Sequence, residues 1–184
     1  MLPFRQGEVA KMSKDSSGLF SGTSGARSSS STRSNKVIKQ YSKERVKEWA
    51  HKEKERLTGK QKKTFNTACV VYDEITGKYY YGRNGGFRDP GYVRNPILFG
   101  DGKHRGILPK ESLNGYAIGN CAEVDAINQA LNAGSRLGNL HITTIHTTKT
   151  DFGKNKPACE NCSYSFKGKV KQNYSGWKGD KNGK

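Results

Sequence analysis

Three cysteines in two short segments constrain this chain more than any other feature. Cys121 lies near the start of the segment NCAEVDAINQALNAG, and Cys159 and Cys162 follow in PACENC. Residues three apart on a helix lie on the same side, so the last two sulfurs point the same way, one turn apart. If Cys121 begins one helix and the pair begins another, the fold must bring two helix starts together around three sulfurs.

Helix starts suit a metal site built from cysteines. The partial positive charge at a helix N-terminus favours the thiolate over the thiol. Three thiolates suit Zn²⁺ and leave its fourth position for a water, whose pKa the metal lowers to about 7. Glu123, two residues after Cys121, is then placed to move the protons of that water. The sequence predicts a catalytic zinc site with Cys121, Cys159 and Cys162 as ligands and Glu123 as the catalytic residue.

Each part of this site has an alternative interpretation. With Asn120 as N-cap, Glu123 is the third helical residue, where a Glu commonly reaches back to cap its own helix. A closed structural zinc site would need a fourth ligand, for which the candidates are Cys69, His141 and His146. The four cysteines could also form two disulfides, which the lack of an export signal makes less favourable.

Around the cysteines the sequence predicts a mixed α/β domain. The predicted elements, in chain order, are a helix from Lys36, a hairpin of strands 67–72 and 78–83 with Gly77 in its turn, a Gly-, Pro- and Asn-rich connection over 85–119, a helix over 121–133, a strand in LHITTIHTT at 140–148, a short helix that opens at Pro157, and one more short strand within 169–174. The long connection is typical of an active-site wall or of a disordered segment.

The flanks differ from this domain in composition. The formal net charge is +17, and residues 1–63 hold 16 basic and 6 acidic groups, whereas residues 64–150 hold 9 and 7. A basic arm raises affinity for phosphate backbones, although a Lys-rich run is also typical of a solvated linker. Ser and Gly dominate residues 13–35 and supply too little apolar surface to order them. We expect a disordered linker over 1–35, the domain over 36–174 and a basic disordered tail over 175–184.

The sequence also bears on where the chain is found. No stretch reaches the about 18 to 20 apolar residues of a membrane span, and the first residues, MLPFRQGEVAKMSK, lack the apolar run of a secretory signal. We therefore expect no membrane partner and no ordinary export. A Ser/Gly linker fits the last module of a longer polypeptide, although a simple flexible tail has the same composition.

The cysteine segments resemble a known family. CAE at 121–123 and PACENC at 157–162 are similar to the signature of the zinc-dependent cytidine deaminase superfamily: His or Cys, any residue, Glu, then Pro-Cys-x-x-Cys. The similar segment runs from about Phe65 to Phe166. The three-cysteine form, the basic flank and the linker are most similar to deaminase domains at the C-termini of bacterial polymorphic toxins, particularly the YwqJ-like branch. The resemblance implies a three-layer α/β/α sandwich whose small mixed sheet could be reduced to about four strands, or completed at its edge by a partner.

The resemblance also implies an activity. The expected reaction is zinc-dependent hydrolytic deamination of a nucleobase in DNA or RNA, cytosine more than adenine, with Glu123 as the proton shuttle. It implies delivery by a specialised secretion system as part of a larger bacterial protein, action in the target-cell cytoplasm, and an immunity protein as partner. The sequence leaves open a free nucleoside or nucleotide deaminase, and a non-enzymatic zinc module that binds nucleic acid through its basic flanks.

Three residues at the end of the hairpin or just after it are candidates for substrate contact: Arg83, Asn84 and Phe87. In this superfamily an Asn at the end of the second strand often contacts the nucleoside, and Asn84 in GRNGG holds a comparable place, although an Asn-Gly turn explains it equally. Phe87 and Arg83, with other aromatic and basic residues of the long connection, could form a surface on which an unpaired base stacks, or could be local packing.

One departure from the family pattern affects the second cysteine segment. Ala158 separates Pro157 from Cys159, whereas the pattern has Pro and Cys adjacent. We therefore expect the entry to the last helix to shift by about one residue.

Overall fold

The computed structural model describes residues 8–9 and 33–180. Its elements, in chain order, are β1 (Glu8–Val9), α1 (Asn35–Arg56), α2 (Gly59–Thr64), β2 (Thr67–Asp73), β3 (Lys78–Arg83), α3 (Pro96–Phe99), α4 (Ala122–Asn132), β4 (Leu140–His146), α5 (Glu160–Phe166) and β5 (Gln172–Asn173), with single 3₁₀ turns at Gly86–Arg88 and Leu137–Asn139. The mixed α/β class predicted from the sequence is confirmed. In the part of the chain that the structure describes, no helix combines the length and apolar character needed to cross a bilayer.

The strands form one small mixed sheet in the order β1-β3-β2-β4-β5. β2 is antiparallel to both β3 and β4, so β2 begins at the edge where its two neighbours end. β5 runs parallel to β4 and provides the short strand predicted within 169–174. The four strands from β3 to β5 make up the body of the sheet, and the two residues of β1 extend it beside β3.

Helices cover both faces of the sheet. Along β2, Cys69 and Val71 belong to a core shared with α4 and α5, whereas Ala68, Val70 and Tyr72 belong to a second core shared with α1. Successive side chains of a strand point to opposite faces, so β2 is buried on both sides and its residues are almost all apolar. The result is three layers, with α1 on one face and α4 and α5 on the other.

α1 is held to the sheet by a narrow stripe of small and β-branched residues. Ile38, Ser42, Val46 and Ala50 are buried and recur every fourth residue, which keeps them on one side of the helix. The helix begins at Asn35, one residue before the predicted start. Its first residues lie at the edge of the sheet opposite the starts of α4 and α5.

Two predicted boundaries need correction. Glu8–Val9, within the range predicted as linker, pair with β3 as β1, whereas residues 1–7 and 10–32 of that range lie outside the described residues. The prediction of a disordered tail is wrong for residues 175–180. The Ser175 hydroxyl donates to the Thr144 carbonyl at 2.8 Å, and Trp177 packs against the core of α4 and α5. Residues 181–184 lie outside the described residues.

The start of the last helix also differs from the prediction. α5 begins at Glu160 with Cys159 as its N-cap, three residues later than the predicted start at Pro157. The Ala158 N–H donates to the Gly176 carbonyl at 3.0 Å, and Ala158 forms a parallel bridge with Trp177. These contacts hold Pro157 and Ala158 in extended backbone, so the helix cannot begin before Cys159.

α4 lies directly on the backbone of β3. A Cβ added at Gly82 would lie 2.4 Å from the Ala126 nitrogen and 2.5 Å from the Ala122 oxygen, both backbone atoms of α4. A rotamer change cannot relieve such a clash, because the atoms involved are backbone atoms of α4. The lack of a side chain at position 82 therefore sets the distance between α4 and the sheet.

We expect Gly82→Ala to lower the free energy of unfolding by about 1–3 kcal/mol or more, because the added methyl must push α4 away from β3. Urea titration followed by circular dichroism measures the change. Gly59→Ala is the matched control, since nothing lies within 4 Å of a Cβ there. That variant should be neutral or more stable by up to about 1 kcal/mol. Equal losses in both variants would contradict the packing described.

Candidate metal centre

The starts of α4 and α5 meet at the edge of the sheet where β3 and β4 end and β2 begins. Cys121 is the N-cap of α4 and Cys159 is the N-cap of α5. The Gly85 N–H donates to the Asn120 carbonyl at 3.0 Å and so ties the end of β3 to the start of α4. α5 follows β4 through the extended segment at Pro157. The sheet topology therefore places the starts of α4 and α5 at the same edge of the sheet.

The three predicted ligands lie together. The sulfurs of Cys121, Cys159 and Cys162 are all within 4.8 Å of one another, close enough to bind one metal ion. The Cys121 and Cys159 sulfurs are 3.1 Å apart. Cys162 is buried, whereas the other two are partly exposed, so the cluster opens to solvent on one side. Among the described residues, no fourth Cys, His, Asp or Glu joins this group.

The donor set fits zinc. Tetrahedral Zn²⁺ with Zn–S bonds of about 2.3 Å needs sulfurs about 3.8 Å apart, within the spread of this cluster. Hydrogen bonds from the thiols of Cys121 and Cys162 hold the pKa of Cys159 far below its usual value, and the N–H groups of Cys162 and Asn161 lower it further. The same pairing raises the pKa values of Cys121 and Cys162. The cluster therefore favours one thiolate even without a metal.

Glu123 lies directly behind the sulfurs. It is 4% exposed, and its Oε2 is 3.9 Å from the Cys162 sulfur. Burial, with a smaller contribution from Cys159, raises the pKa of Glu123 to about 7. Because the N-cap is Cys121 and not Asn120, Glu123 is the second helical residue, and no side-chain bond caps the helix there. The alternative in which Glu123 completes a capping box does not match this geometry.

The other candidate ligands lie apart from the cluster. Cys69 is buried in mid-strand, where burial raises the pKa of its thiol. His141 stands at the opposite end of β4, with its ring nitrogens 2.8 Å from Glu74 Oε2 and 3.0 Å from the Tyr174 hydroxyl. His146 ends β4 at the same edge as the cluster, and burial followed by the charge of Lys156 lowers its pKa.

Two of the residues predicted to contact substrate serve the protein itself. Arg83 is buried, forms an ion pair with Glu53 at 3.2 Å, and forms a second with Asp89. A guanidinium engaged in this way supports the long connection and the hairpin. Arg83 is therefore engaged within the protein, and its predicted contact with substrate stays a prediction.

Asn84 also bonds to backbone. Its Oδ1 accepts from the N–H groups of Asn66 and Thr67 at 3.1 Å each, and its Nδ2 donates to the Thr64 carbonyl at 2.7 Å. It therefore joins the end of β3 to the entry of β2. Phe87 is partly exposed, with the Arg88 guanidinium 4.7 Å from its ring centre, so its predicted role in stacking on a base stays a prediction.

Lys156 is a site residue that the sequence analysis did not single out. Its Nζ contacts the Thr67 hydroxyl and lies 3.4 Å from Asn66 Oδ1. It is close enough to Glu123 to lower the pKa of that carboxyl, against the effect of burial. Its place directly before Pro157 was the available signal, since that segment leads into the two cysteines of α5.

The long connection forms one wall of the site. The Asn161 side chain in α5 accepts from the Leu113 N–H at 2.8 Å and donates to the Ser112 hydroxyl at 3.1 Å. These bonds hold residues 112–116 beside the first turn of α5 and leave Tyr116 62% exposed. Tyr116 thus presents an exposed aromatic ring on the segment that packs against α5.

Comparison with known proteins leaves the family open. No family model, no curated protein and no solved structure matches this chain. The likeness to the deaminases therefore rests on the residues at 121–123 and 157–162.

We expect the purified protein to contain about one zinc ion per chain by elemental analysis, because three sulfurs converge on one position. Cys159→Ala and Cys162→Ala should lose the metal and melt at lower temperature, since binding stabilises the folded state. Cys69→Ala is the matched control and should keep its zinc, because that thiol stands outside the cluster. Wild-type protein without zinc after metal-sparing purification, or equal zinc loss in the control, would rule out this centre.

Proposed function

We propose that this chain is a zinc-dependent hydrolase that deaminates a nucleobase, cytosine in preference to adenine, within DNA or RNA. The observation that carries the proposal is the buried carboxyl of Glu123 beside three convergent sulfurs at two helix starts. A cluster of cysteines alone suits a structural metal. A buried acid beside that cluster suits proton transfer at a metal site.

The residues divide into ligands and a proton carrier. Cys121, Cys159 and Cys162 would hold zinc, which when bound supplies a nucleophilic water at neutral pH by lowering its pKa to about 7. Glu123 would accept a proton from the attacking water and give it to the ring nitrogen of the base, then take the second proton of the same oxygen and give it to the departing amine. The water oxygen becomes the new carbonyl of the base. Cytosine and water thus yield uracil and ammonia, and adenine yields hypoxanthine.

Several features favour a nucleic acid as substrate. A base must be unpaired or flipped to enter such a site, and aromatic rings help to hold it. Tyr116 on the wall of the site and Phe87 are exposed or partly exposed and can stack on a base. The net charge of +17 favours binding to a phosphate backbone.

We also propose a biological setting for this activity. The three-cysteine form, the basic flank and the Ser/Gly-rich N-terminal segment are similar to toxin deaminase domains. In that setting the chain is the toxin part of a larger bacterial protein, a specialised secretion system delivers it to the cytoplasm of a target cell, and an immunity protein protects the producer.

A non-enzymatic zinc module that binds nucleic acid is the second candidate. Three thiolates give the site a net negative charge, which weakens the Lewis acidity of zinc relative to a site with a histidine ligand. The positive ends of α4 and α5 offset part of that charge. X-ray absorption spectra that give zinc four protein ligands would favour this candidate.

We expect Glu123→Gln to keep its zinc and lose at least about 10²-fold in deamination rate, because the proton carrier is gone. The assay incubates purified protein with single- and double-stranded DNA, RNA and free nucleotides and measures uracil and hypoxanthine. Glu160→Gln is the matched control, since Glu160 is a partly exposed acid in the first turn of α5 that bonds Asn114 and Lys178. It should retain most activity. Full turnover by Glu123→Gln would exclude the proposed role, and strong salt dependence would separate polynucleotide from nucleotide substrates.

Expression of the wild-type chain in the cytoplasm of a bacterium should arrest growth, and Glu123→Gln should abolish that effect at equal protein level. Colony counts after induction, with protein amounts from immunoblots, provide the measurement. Toxicity that survives the substitution would point to the charge of the chain and not to its chemistry.

A further inference from the structure

The edge of the sheet that holds the cysteines also carries a group of lysines, which we call the basic edge: Lys60, Lys62, Lys63 and Lys156. The three lysines of α2 are exposed and Lys156 is partly exposed. Among residues 33–180, no carboxylate oxygen lies within 4.0 Å of any of these four ammonium groups. Their charge is therefore available to a ligand from outside.

α2 displays its lysines without contributing to the core. The helix buries none of its residues, whereas a surface helix normally covers the core with an apolar face. It is held by a capping box between Thr58 and Gln61, and by the Asn84 amide that binds the Thr64 carbonyl. Lysines in a last helical turn also interact favourably with the carbonyl end. That effect accounts for Lys62 and Lys63 but not for Lys60 or Lys156.

The basic edge leads from α2 to the candidate site. α2 ends three residues before Thr67, the first residue of β2, which pairs with His146 at the end of β4. Lys156 binds Asn66 and Thr67 on one side and stands near Glu123 on the other. The four lysines therefore lie at the edge of the sheet that carries the cysteines, on α2 just before β2 and at Lys156 beside the start of β2.

The opposite edge of the sheet carries both paired and unpaired basic charge. There the Lys171 ammonium lies 3.3 Å from Glu74, which also accepts from His141. The first turns of α1 lie at the same edge, because the Tyr174 hydroxyl contacts both His141 and Asn35. Lys36 and Lys39, on the first turns of α1, also have no carboxylate oxygen within 4.0 Å among residues 33–180. What distinguishes the basic edge is therefore its position beside the cysteines, where its charge is available to a ligand of the site.

We propose that the basic edge binds the phosphate backbone of a single-stranded polynucleotide and aligns it with the site, so that the chain acts on polynucleotides in preference to free nucleosides. The preference for polynucleotide substrates rests on the proposed function, whereas the binding of the phosphate backbone does not. α2 is about 9 Å long, and Lys156 lies beyond it on the far side of Asn66. A nucleoside has no phosphate that could pair with these ammonium groups, and a single nucleotide could pair with few of them.

Binding can be measured separately from turnover. The probe is a fluorescent single-stranded DNA of mixed sequence that contains cytosine, titrated with zinc-loaded Glu123→Gln protein at several salt concentrations and followed by anisotropy. Lys62→Gln/Lys63→Gln should weaken binding to all sequences. The logarithm of the binding constant falls as the logarithm of the salt concentration rises, and this variant should make that fall less steep by about 1.4, at about 0.7 per lost contact. Lys156→Gln should lower this salt slope by about 0.7, and Lys156→Arg should restore it.

The matched control is Lys36→Gln/Lys39→Gln. Both lysines are exposed on the first turns of α1, so this variant makes the same change in net charge at the opposite edge. It should leave the salt slope unchanged. Equal losses in the two double variants would show attraction by net charge alone and overturn the basic edge as a binding surface.

The remaining outcomes separate the two proposals. Lysine-dependent binding without deamination by wild-type protein would support the basic edge and refute the proposed reaction. Deamination of DNA that the lysine substitutions leave unchanged in KM would refute the basic edge alone. Binding to vesicles of phosphatidylserine and phosphatidylcholine, without binding to the oligonucleotide, would assign the surface to a membrane and overturn the inference.

Discussion

The contact between α4 and the backbone of β3 is the constraint on which the rest of this structure depends. Because position 82 has no side chain, the helix axis approaches the sheet closely, and the start of α4 comes to the edge where β4 also ends. Cys121 and Glu123 are placed by that approach. Cys159 and Cys162 reach the same point after β4 through a turn at residues 149–153 and the extended segment at Pro157. The cysteine cluster is thus a product of sheet topology and one close helix–sheet contact.

Local patterns in the sequence predicted much of the fold. The β-branched and aromatic runs on either side of Gly77 gave the hairpin, and the apolar face of α4 with its cysteine start gave the helix. The grouping of the three cysteines near Glu123 could be predicted because cysteine spacing and a helix start are both local. α5 was placed three residues early because its true start depends on the bond from Ala158 to Gly176, which no local pattern reveals.

Residues with two plausible uses were the ones that sequence could not resolve. Arg83 and Asn84 have side chains suited to a ligand. In the structure Arg83 pairs with Glu53 of α1 and with Asp89 of the long connection, and Asn84 bonds the Thr64 carbonyl at the end of α2. Lys156 was passed over because a single lysine carries no pattern, and its meaning comes only from the closeness of Thr67 and Glu123. Long-range electrostatic neighbours of this kind follow from the fold and not from the order of residues.

The segment after β5 gives the centre an unexpected dependence. Ser175 bonds both backbone groups of Thr144 in β4, and Gly176 holds the residue that precedes Cys159. Ser175 and Gly176 therefore fix the backbone directly before Cys159. The predicted domain boundary, drawn from composition, falls at residue 174. Removing the residues after it would loosen the geometry of the cluster, although all three cysteines would remain in the chain.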